Sequence, residues 1–591
     1  MVNGAVMTTG AETVWRSANQ PRLPPYTSAL PAMLETIAEK YASREAIVRG
    51  DDRVTYRELQ RQSAELAKGL LARGVSKGMR VGLLMPNSPR FAVAFMAAAR
   101  IGAVVAPLST LYQAPELAWV LNNADIDVLL ISARFLRHDY LARLEEAFPS
   151  LAKQAAGRLV LPEAPFLRQI FVWGDCNRSW AEPGPAALAA AAAARPEIDD
   201  AFLHRVGVNI TPADALCMIH TSGSTANPKG VVHGHGPLIR HTYKVATEYW
   251  STDEGDRIVT SRPWFWVAGL SATLFHALHL GLCLIVPEDN SGSTLRGLIE
   301  TEGATAICSN EESWLRSLRT DPHLAPDYDV IRIVLDVAGI ARRTADGWAY
   351  VNPARAARIQ PVAVHDDRLP RIYGMTETCG AHTGGMGEEL LPPDRPRGLG
   401  RPFPTTELKV VDVTSRTPLG PGHEGELLVR ADCLMLGMYK REPKDVFLPD
   451  GFYATGDVVS IDEQGYVSFS HRIGEMIKVH GANVAPLEVE AALQAAEAVQ
   501  RCAVVGVEGP DGETLVVAAV EVWPGHAFDE AKMREELKRK LSSYKVPRRI
   551  FLLTAEEIPM TGSGKIQKKA LAEVLHRKIA GECEPPAGET A

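Results

Sequence analysis

A loop rich in hydroxyl groups and glycine is the first feature of this chain that could perform chemistry. It reads TSGSTANPKG, residues 221–230, and follows an apolar run at residues 216–220 that predicts a buried strand. Backbone N–H groups and hydroxyls at the tip of such a loop can converge on phosphate oxygens. The loop is not a Walker A loop, because Pro228 stands where that pattern has a second glycine before the lysine. We expect phosphate contacts from Thr221, Ser222, Gly223, Ser224, Thr225 and Lys229; in isolation, such a loop is more often a simple turn.

Three further short motifs follow this loop. They are YGMTET at residues 373–378, YATGD at residues 453–457 and TGSGK at residues 561–565. Each motif alone is weak, but in this order and at these separations they resemble the adenylate-forming superfamily of acyl-CoA synthetases, peptide-synthetase adenylation domains and luciferases. The resemblance runs from about Thr55 to the end of the last helix.

The resemblance implies roles for the residues of YGMTET. Tyr373, next to Gly374, would stack on adenine, Thr376 would contact phosphate, and Glu377 would hold the Mg²⁺ that screens the triphosphate. Mg²⁺ is bound through one or two carboxylates plus substrate phosphates, so a single glutamate suffices. The alternative is that Glu377 is a solvated turn residue.

The remaining motifs concern ribose, charge and domain movement. Asp457 resembles the family aspartate that accepts both ribose hydroxyls, although an aspartate in a tight turn needs no ligand. Lys565, on a glycine-flanked loop, would stabilise charge that develops on carboxylate and α-phosphate oxygens. Arg472, Lys478 and Gly481 fit the hinge and the loop that the family swings into the site for the second half-reaction.

An aromatic stretch, RPWFWVAGL at residues 262–270, is the expected wall of an acyl pocket together with the segment at residues 337–340. Such walls suit an aryl, alicyclic or other bulky hydrophobic acid. A purely structural cluster is the alternative. The pocket residues we expect are Trp264, Phe265, Trp266, Gly269, Ala338 and Gly339.

Several positions depart from the family pattern. Ala226 stands where the phosphate loop nearly always has glycine, and its Cβ would strain a positive φ or crowd a phosphate. Trp266 replaces a common histidine, His471 replaces a glycine, and Gly474 stands where an aspartate or lysine is usual. Residues 335–342 resemble the family's adenine loop only loosely. These departures suggest a hypothesis in which adenylation is weakened or lost and an acyl-adenylate comes from a partner ligase, whereas the retained motif carboxylates and lysine argue against it.

The leading function is therefore a carboxylic acid:CoA ligase that uses ATP, Mg²⁺ and coenzyme A and passes through an acyl-adenylate. Four alternatives stay open. They are a ligase that only converts preformed acyl-AMP into a thioester, an enzyme that loads a carrier protein, a luciferase-like oxygenase, and a non-catalytic protein that binds acyl-AMP.

Alternating helices and strands must position these motifs. Thr55 and Glu58 form a capping box that predicts the start of a helix. Strands predicted at residues 80–85, 103–108 and 127–132 alternate with helices predicted at residues 89–102 and 115–124, a pattern typical of a parallel α/β sheet.

A chain of 591 residues is too long for one core. We expect an α/β protein with parallel-rich sheets flanked by helices, a small β-barrel subdomain and a mobile α+β C-terminal domain. The expected boundaries are a disordered tail at 1–25, the N-terminal adenylate-forming domain at 26–471, a hinge at 472–475, the C-terminal domain at 476–580 and a disordered tail at 581–591.

Composition narrows the class of partners and the compartment. The formal net charge is −8 and no basic block interleaves with aromatic residues, so nucleic acid is not an expected partner. Eight cysteines without a CxxC pair predict a reducing cytoplasm. No secretory signal is visible, and the most apolar stretch, residues 96–108, is too short to span a bilayer. The oligomeric state stays open.

Overall fold

The fold is given by a computed structural model. It describes residues 5–9, 12–136, 138–221, 228–249, 252, 254–289, 292–308, 333–336, 339–344, 347–350, 360–361, 372–384, 398–474, 477–479, 482–484, 486–509, 513–541, 545–560 and 565–583.

The strands in chain order are β1 (Ala5–Thr9), β2 (Glu12–Arg16), β3 (Glu45–Arg49), β4 (Asp52–Thr55), β5 (Arg80–Leu84), β6 (Val104–Pro107), β7 (Val128–Ser132), β8 (Arg134–Phe135), β9 (His138–Asp139), β10 (Gln169–Trp173), β11 (Glu182–Pro183), β12 (Ala215–Thr221), β13 (Lys229–Gly234), β14 (Arg257–Thr260), β15 (Cys283–Ile285), β16 (Ala306–Cys308), β17 (Ile333–Asp336), β18 (Gly339–Thr344), β19 (Gly347–Tyr350), β20 (Gln360–Pro361), β21 (Tyr373–Met375), β22 (Gly380–Gly384), β23 (Arg401–Pro402), β24 (Thr406–Val411), β25 (Gly425–Ala431), β26 (Gly437–Met438), β27 (Tyr453–Ile461), β28 (Val467–Arg472), β29 (Ile477–Val479), β30 (Ala482–Val484), β31 (Val499–Glu508), β32 (Thr514–Val522) and β33 (Arg549–Leu552).

The helices in chain order are α1 (Leu30–Lys40), α2 (Tyr56–Ala72), α3 (Pro89–Ala99), α4 (Ala114–Asn123), α5 (Tyr140–Ala147), α6 (Gly184–Ala193), α7 (Asp200–Val208), α8 (His235–Glu248), α9 (Val267–Gly269), α10 (His276–Leu280), α11 (Gly292–Glu302), α12 (Pro486–Gln494), α13 (Glu530–Lys540) and α14 (Lys568–Cys583). A π-helical turn, Leu270–Phe275, joins α9 to α10, and 3₁₀ turns lie at Pro149–Lys153, Thr376–Thr378 and Pro443–Asp445.

Two large sheets with parallel centres form the body of the N-terminal part. Within the described ranges, one sheet has the order β11-β10-β7-β5-β6-β12-β13-β26 and the other the order β20-β19-β18-β17-β16-β14-β15-β3-β4. Strand β5 runs parallel to both β6 and β7, and α2 begins at the capping box of Thr55 and Glu58. The predicted α/β alternation is confirmed.

A six-stranded antiparallel sheet, in the order β1-β2-β24-β25-β27-β28, stands where the sequence predicts a β-barrel subdomain. Its first two strands correct the prediction that residues 1–25 are disordered. Trp15 of β2 is 0% exposed, packs in an apolar cluster with Leu408 and Val467, and donates its indole N–H to the carbonyl of Asp462 at 3.1 Å. Burial of one large aromatic side chain offsets the ordering entropy that an otherwise polar segment could not offset.

The C-terminal part is built around the three-stranded sheet β31-β32-β33. Helices α12 and α13 supply residues to the cluster on one face, and α14 supplies residues to the cluster on the other face. Helix α14 continues to Cys583, past the predicted boundary at residue 580. Every helix in the described part of the chain is too short or too polar to traverse a bilayer.

Trp15→Ala should lower the free energy of unfolding by about 3–5 kcal/mol, because it removes a buried indole from the core of the β subdomain. Urea unfolding followed by near-UV circular dichroism measures the change. Gln20→Ala, at an exposed position of the same segment, is the control and should cost less than about 0.5 kcal/mol. Equal stability of Trp15→Ala and the unsubstituted protein would contradict the assigned docking of the N-terminal hairpin.

Candidate active site

Three strands bring the aspartate of YATGD against the tyrosine of YGMTET. Asp457 lies in β27 opposite Arg472 of β28, and the Tyr373 hydroxyl of β21 donates a hydrogen bond to Asp457 Oδ2 at 2.5 Å. The Arg472 Nε atom lies 3.5 Å from the other carboxylate oxygen, Oδ1. Asp457 is only 5% exposed. A buried carboxylate needs such donors, so these contacts set the geometry of the site.

A second carboxylate, that of Glu377, lies beside the first residue of β27. The Tyr453 hydroxyl donates to Glu377 Oε1 at 3.4 Å, and Tyr453 and Asp457 belong to the same strand. The backbone carbonyl of Glu377 accepts a hydrogen bond from the Met435 N–H at 2.8 Å. Tyr453 begins the YATGD motif, but its contact with Glu377 joins residues 76 apart and has no local signal in the sequence.

The YGMTET segment is a tight hairpin whose shape depends on glycine. A Cβ on Gly374 would lie 2.1 Å from the carbonyl oxygen of Gly380, a distance that no side chain tolerates. Cys379, which closes the 3₁₀ turn, has a left-handed φ of 59°. These constraints place Thr376 and Glu377 in the turn between β21 and β22.

The groups around this hairpin are protonated phenols and neutral imidazoles. Burial, followed by the charge of Asp457, raises the pKa of Tyr373; burial, followed by the charge of Glu377, raises the pKa of Tyr453. His382 packs edge-on against the Tyr373 ring, with centroids 4.8 Å apart, and burial lowers its pKa to about 3. Both phenols are therefore hydrogen-bond donors at neutral pH.

The base of the hydroxyl-rich loop is held from several sides. Thr221 and Lys229 are direct partners in the antiparallel pair β12–β13. The Trp119 indole of α4 donates to the Pro228 carbonyl at 3.3 Å, and the backbone N–H of Tyr439 donates to the Gly230 carbonyl at 2.8 Å. The sequence contains no local signal for Trp119, because its contact is tertiary.

The tip of that loop lies outside the described residues. It contains five of the positions singled out from the sequence: Ser222, Gly223, Ser224, Thr225 and Ala226.

The aromatic stretch contains two buried residues, Trp264 and Phe265, and the half-buried Trp266. Trp264 is 0% exposed; its backbone N–H donates to Asn87 Oδ1 at 2.8 Å and its indole N–H donates to Thr273 Oγ1 at 3.0 Å. These contacts favour the structural alternative for Trp264. Phe265 and Trp266 form an edge-on pair with centroids 5.0 Å apart, and their contact with a substrate stays a prediction.

The small residues predicted for the acyl pocket are Gly269, Ala338 and Gly339, and the structure describes the two glycines. Gly269 packs against the chain so closely that a Cβ would lie 1.9 Å from the Pro263 carbonyl oxygen. Gly339 begins β18, opposite Asp336, whereas Ala338 lies outside the described residues.

The contacts described above lie within residues 373–472, and the predicted groups of the C-terminal part belong to other segments. Lys565 is exposed. Lys478 pairs through its backbone with Asn483 in the hairpin β29–β30, its side chain is not described, and Gly481 lies outside the described residues. The roles of these three residues stay predictions.

Two of the departures from the family pattern have a local structural context. Gly474 has φ +88°, a left-handed conformation that favours glycine over the usual charged residue. His471 lies in β28 opposite Val458, at an ordinary strand position.

The described residues fit a magnesium ion that is shared with substrate. Among them, no group of three or more histidine, cysteine, aspartate or glutamate side chains could hold a metal by itself. The Glu377 carboxylate accepts one long hydrogen bond and keeps further acceptor sites. One such carboxylate together with phosphate oxygens meets the coordination preference of Mg²⁺.

Several known proteins are similar to this chain. It is 27% identical over 554 residues to the putative acyl-CoA synthetase YngI of Bacillus subtilis, covering 92% of this chain and 97% of that protein. It is 28% identical over 538 residues to the long-chain-fatty-acid–CoA ligase FadD13 of Mycobacterium tuberculosis, covering 88% and 93%.

Solved structures share the fold. The anthranilate CoA ligase AuaEII, in complex with anthranoyl-AMP, matches with a TM-score of 0.72 and 21% identity over 94% of this chain and 99% of that chain. The o-succinylbenzoate CoA synthetase MenE of Bacillus subtilis, in complex with ATP and a magnesium ion, matches with a TM-score of 0.66 and 21% identity over 91% and 98%.

Family models cover most of the chain. The model of the AMP-binding enzyme family matches residues 34–439, and that of the AMP-binding enzyme C-terminal domain matches residues 488–565. The first model alone matches more than half of the 591-residue chain. The chain therefore belongs to the AMP-binding enzyme family, and the predicted membership of the adenylate-forming superfamily is confirmed.

Proposed function

We propose that the protein is a carboxylic acid:CoA ligase. The carboxylate oxygen of the acid attacks the α-phosphorus of ATP, the bond to the β-phosphate oxygen breaks, and pyrophosphate leaves. The sulfur of coenzyme A then attacks the acyl carbon, the bond to the AMP oxygen breaks, and AMP leaves. The observation that carries the proposal is that the carboxylates of Asp457 and Glu377 each lie beside a tyrosine hydroxyl, that of Tyr373 and that of Tyr453 respectively.

Asp457 and Tyr373 would bind the nucleoside. The Asp457 carboxylate already accepts a donor hydroxyl from Tyr373, so ribose hydroxyls would meet an acceptor of matching chemistry. The Arg472 guanidinium lies beside the same carboxylate and carries the opposite charge. The adenine would lie against the hairpin that contains Tyr373.

Thr376 and Glu377 would face the phosphates from the turn between β21 and β22, whose close packing at Gly374 leaves no room for a side chain. When bound, Mg²⁺ would neutralise the charge of the phosphates. Glu377 would contribute the protein oxygen to that ion and Tyr453 would orient the Glu377 carboxylate. The pair β12–β13 holds both ends of the hydroxyl-rich loop for contact with the same phosphates.

Lys565, Lys478 and Gly481 would act through movement of the C-terminal domain. We propose that Lys565 approaches the α-phosphate during adenylation and that the hairpin β29–β30 replaces it for transfer to the thiol. A closed site also keeps the mixed anhydride away from water.

We propose an aryl, alicyclic or bulky hydrophobic acid as the substrate. The edge-on pair formed by the half-buried Trp266 and Phe265 supports a pocket with aromatic walls. The names of similar proteins span anthranilate, medium-chain and long-chain acids, so a panel of acids is needed to choose among them.

A thioester-forming ligase with weakened adenylation is the second candidate, and the departures at Ala226 and Trp266 favour it. Gly474 does not favour this candidate, because its left-handed φ of +88° explains the presence of glycine at that position. The decisive experiment supplies a panel of acids in two forms, as free acids with ATP and Mg²⁺ and as synthetic acyl-adenylates, each with coenzyme A.

We expect pyrophosphate release and acyl-CoA from the free acids. Acyl-CoA only from the adenylates would establish the second candidate. Acyl transfer only to a phosphopantetheinyl protein would establish a carrier-loading enzyme. Light emission in the presence of oxygen would establish a luciferase-like oxygenase, and binding of acyl-AMP without any product would establish a non-catalytic protein.

Asp457→Asn should lower kcat/KM for ATP by about 10-fold to 100-fold, because a neutral amide replaces a charged acceptor for two ribose hydroxyls. Pyrophosphate release at varied ATP concentration measures the effect. Asp445→Asn, an exposed position of the same subdomain, should leave kcat/KM unchanged. An unaltered ATP dependence in Asp457→Asn would remove Asp457 from the nucleotide site.

Glu377→Gln should separate the two half-reactions. Adenylation should fall by roughly 100-fold or more and require higher Mg²⁺, because charge stabilisation at the phosphates is lost. Thioester formation from synthetic acyl-AMP should change far less, because no pyrophosphate leaves in that step. Glu442→Gln, an exposed control, should alter neither reaction. Equal losses in both half-reactions would contradict the assigned role of Glu377.

A further inference from the structure

Two non-glycine residues with left-handed backbone conformations are in direct contact beside the base of the hydroxyl-rich loop. Asp125, two residues after the end of α4, has a φ of +47°, and Lys440, two residues after the end of β26, has a φ of +59°. The Lys440 Nζ atom lies 2.7 Å from Asp125 Oδ1. Such conformations cost free energy, persist only where the surrounding structure imposes them, and cluster at functional sites. This ion pair therefore marks a place where the fold fixes the backbone against its own preference.

Tyr439 connects this ion pair to the loop. Its hydroxyl donates to Asp125 Oδ2 at 2.9 Å, and its backbone N–H donates to the Gly230 carbonyl at 2.8 Å. A Cβ on Gly230 would lie 3.4 Å from the Tyr439 Cβ, so the tyrosine packs directly against the strand that leaves the loop. Burial, followed by the hydrogen bond to Asp125, raises the pKa of Tyr439, which keeps the phenol a donor at neutral pH. The Asp125 carboxylate thus holds two consecutive residues, 439 and 440.

A second donor reaches the same strand from α4. The Trp119 indole donates to the Pro228 carbonyl at 3.3 Å, and only Lys229 separates Pro228 from Gly230. Lys229 is itself paired with Thr221, on the other side of the loop. The carbonyl groups of both neighbours of Lys229 are therefore held by donors from outside the β12–β13 pair.

Four residues make up this arrangement, which we call the loop clamp: Trp119, Asp125, Tyr439 and Lys440. The clamp is fixed to the parallel-centred sheet, because Arg80 Nε of β5 donates to the Asp125 carbonyl at 3.1 Å. It is also fixed to the end of α4, since Lys440 Nζ donates to the Asn122 carbonyl at 3.3 Å. The Asp125 side chain is only 13% exposed, and salt screens partly buried ion pairs much less than exposed ones. The loop clamp therefore has a firm support.

Resting on the proposed function, we propose that the loop clamp positions the hydroxyl-rich loop for the β- and γ-phosphates of ATP. The clamp residues act through the carbonyls of Pro228 and Gly230 rather than by contact with ATP, so they are positioning residues. Fixing these carbonyls fixes the backbone from which Lys229 would extend toward the phosphates. A loop held in its binding conformation binds more tightly, since less ordering is needed when the ligand arrives. Loss of the clamp should therefore weaken the binding of ATP and spare that of AMP, which lacks both outer phosphates.

Two substitutions weaken the clamp in different ways. Trp119→Phe keeps an aromatic ring and deletes the indole N–H, whereas Asp125→Gly deletes the carboxylate and keeps a left-handed backbone, which glycine adopts without strain. Calorimetry with Mg²⁺ and without any acid, so that ATP is not consumed, should show a Kd for ATP raised about threefold to 10-fold in each variant, the loss expected for one hydrogen bond. The Kd for AMP should stay within about twofold, as for a neutral surface substitution. Thioester formation from synthetic acyl-AMP should be unchanged, because no pyrophosphate leaves in that step.

Matched controls repeat the same changes away from the loop. Trp180→Phe also deletes an indole N–H, which donates to Glu145 Oε1 at 3.0 Å. Leu136→Gly also replaces a residue with a left-handed backbone, at a φ of +51°, and Leu136 is 70% exposed. Neither control should alter the ratio of the Kd for ATP to the Kd for AMP. Thermal melting shows whether all four variants are folded, and a purely structural role of the clamp would lower the melting temperature without changing that ratio.

Direct binding separates the clamp from the proposed function. A higher Kd for ATP at an unchanged Kd for AMP in both clamp variants would support the positioning role. Equal changes for the two nucleotides, an unchanged Kd for ATP in either clamp variant, or no binding of ATP to the unsubstituted protein would overturn it. If ATP affinity falls as expected but no acid in the panel is converted to acyl-CoA, the clamp stands and the proposed function fails.

Discussion

The burial of the Asp457 carboxylate is the constraint on which the rest of the site depends. A carboxylate that is removed from water must be paired or hydrogen-bonded, and Asp457 meets this requirement through Tyr373 and Arg472. These partners belong to different strands, so one buried charge joins the YGMTET hairpin to the antiparallel sheet of the β subdomain. The position of the hairpin, and with it the direction of Thr376 and Glu377, follows from satisfying that charge.

The site combines rigid groups from several sheets. Strand β27 carries Tyr453 and Asp457, while β12 and β13 of a parallel-centred sheet hold the two ends of the hydroxyl-rich loop. Trp119 reaches that loop from α4. Side chains presented by strands are held by many backbone hydrogen bonds, so the groups that we propose for ribose and phosphate are arranged without a ligand. This arrangement reduces the cost of ordering them on binding.

Much of this arrangement could be predicted from the sequence, because it depends on local patterns. The capping box of Thr55 and Glu58, the alternation of apolar runs and the four motifs all concern residues that are close in the chain. The docking of Trp15 could not be predicted, since its hydrogen-bond acceptor, Asp462, is 447 residues away and the segment around it is polar. Trp264 shows a different limit: an aromatic residue beside a motif looks the same in sequence whether it faces a ligand or, as here, Asn87 and Thr273. The pairing of Asp125 with Lys440 is likewise a tertiary contact without a local signature.

The pairing of β2 with β24 also has a consequence for synthesis on the ribosome. The N-terminal strands emerge first, but the backbone partner of Trp15 is Leu408, and its indole acceptor lies 447 residues downstream. At translation rates of about 5–20 residues per second, roughly 20 to 90 seconds pass before the hairpin can complete the sheet. During that interval the nascent chain exposes an unpaired strand edge and an uncovered indole, both of which are sites where chaperones or other nascent chains can attach.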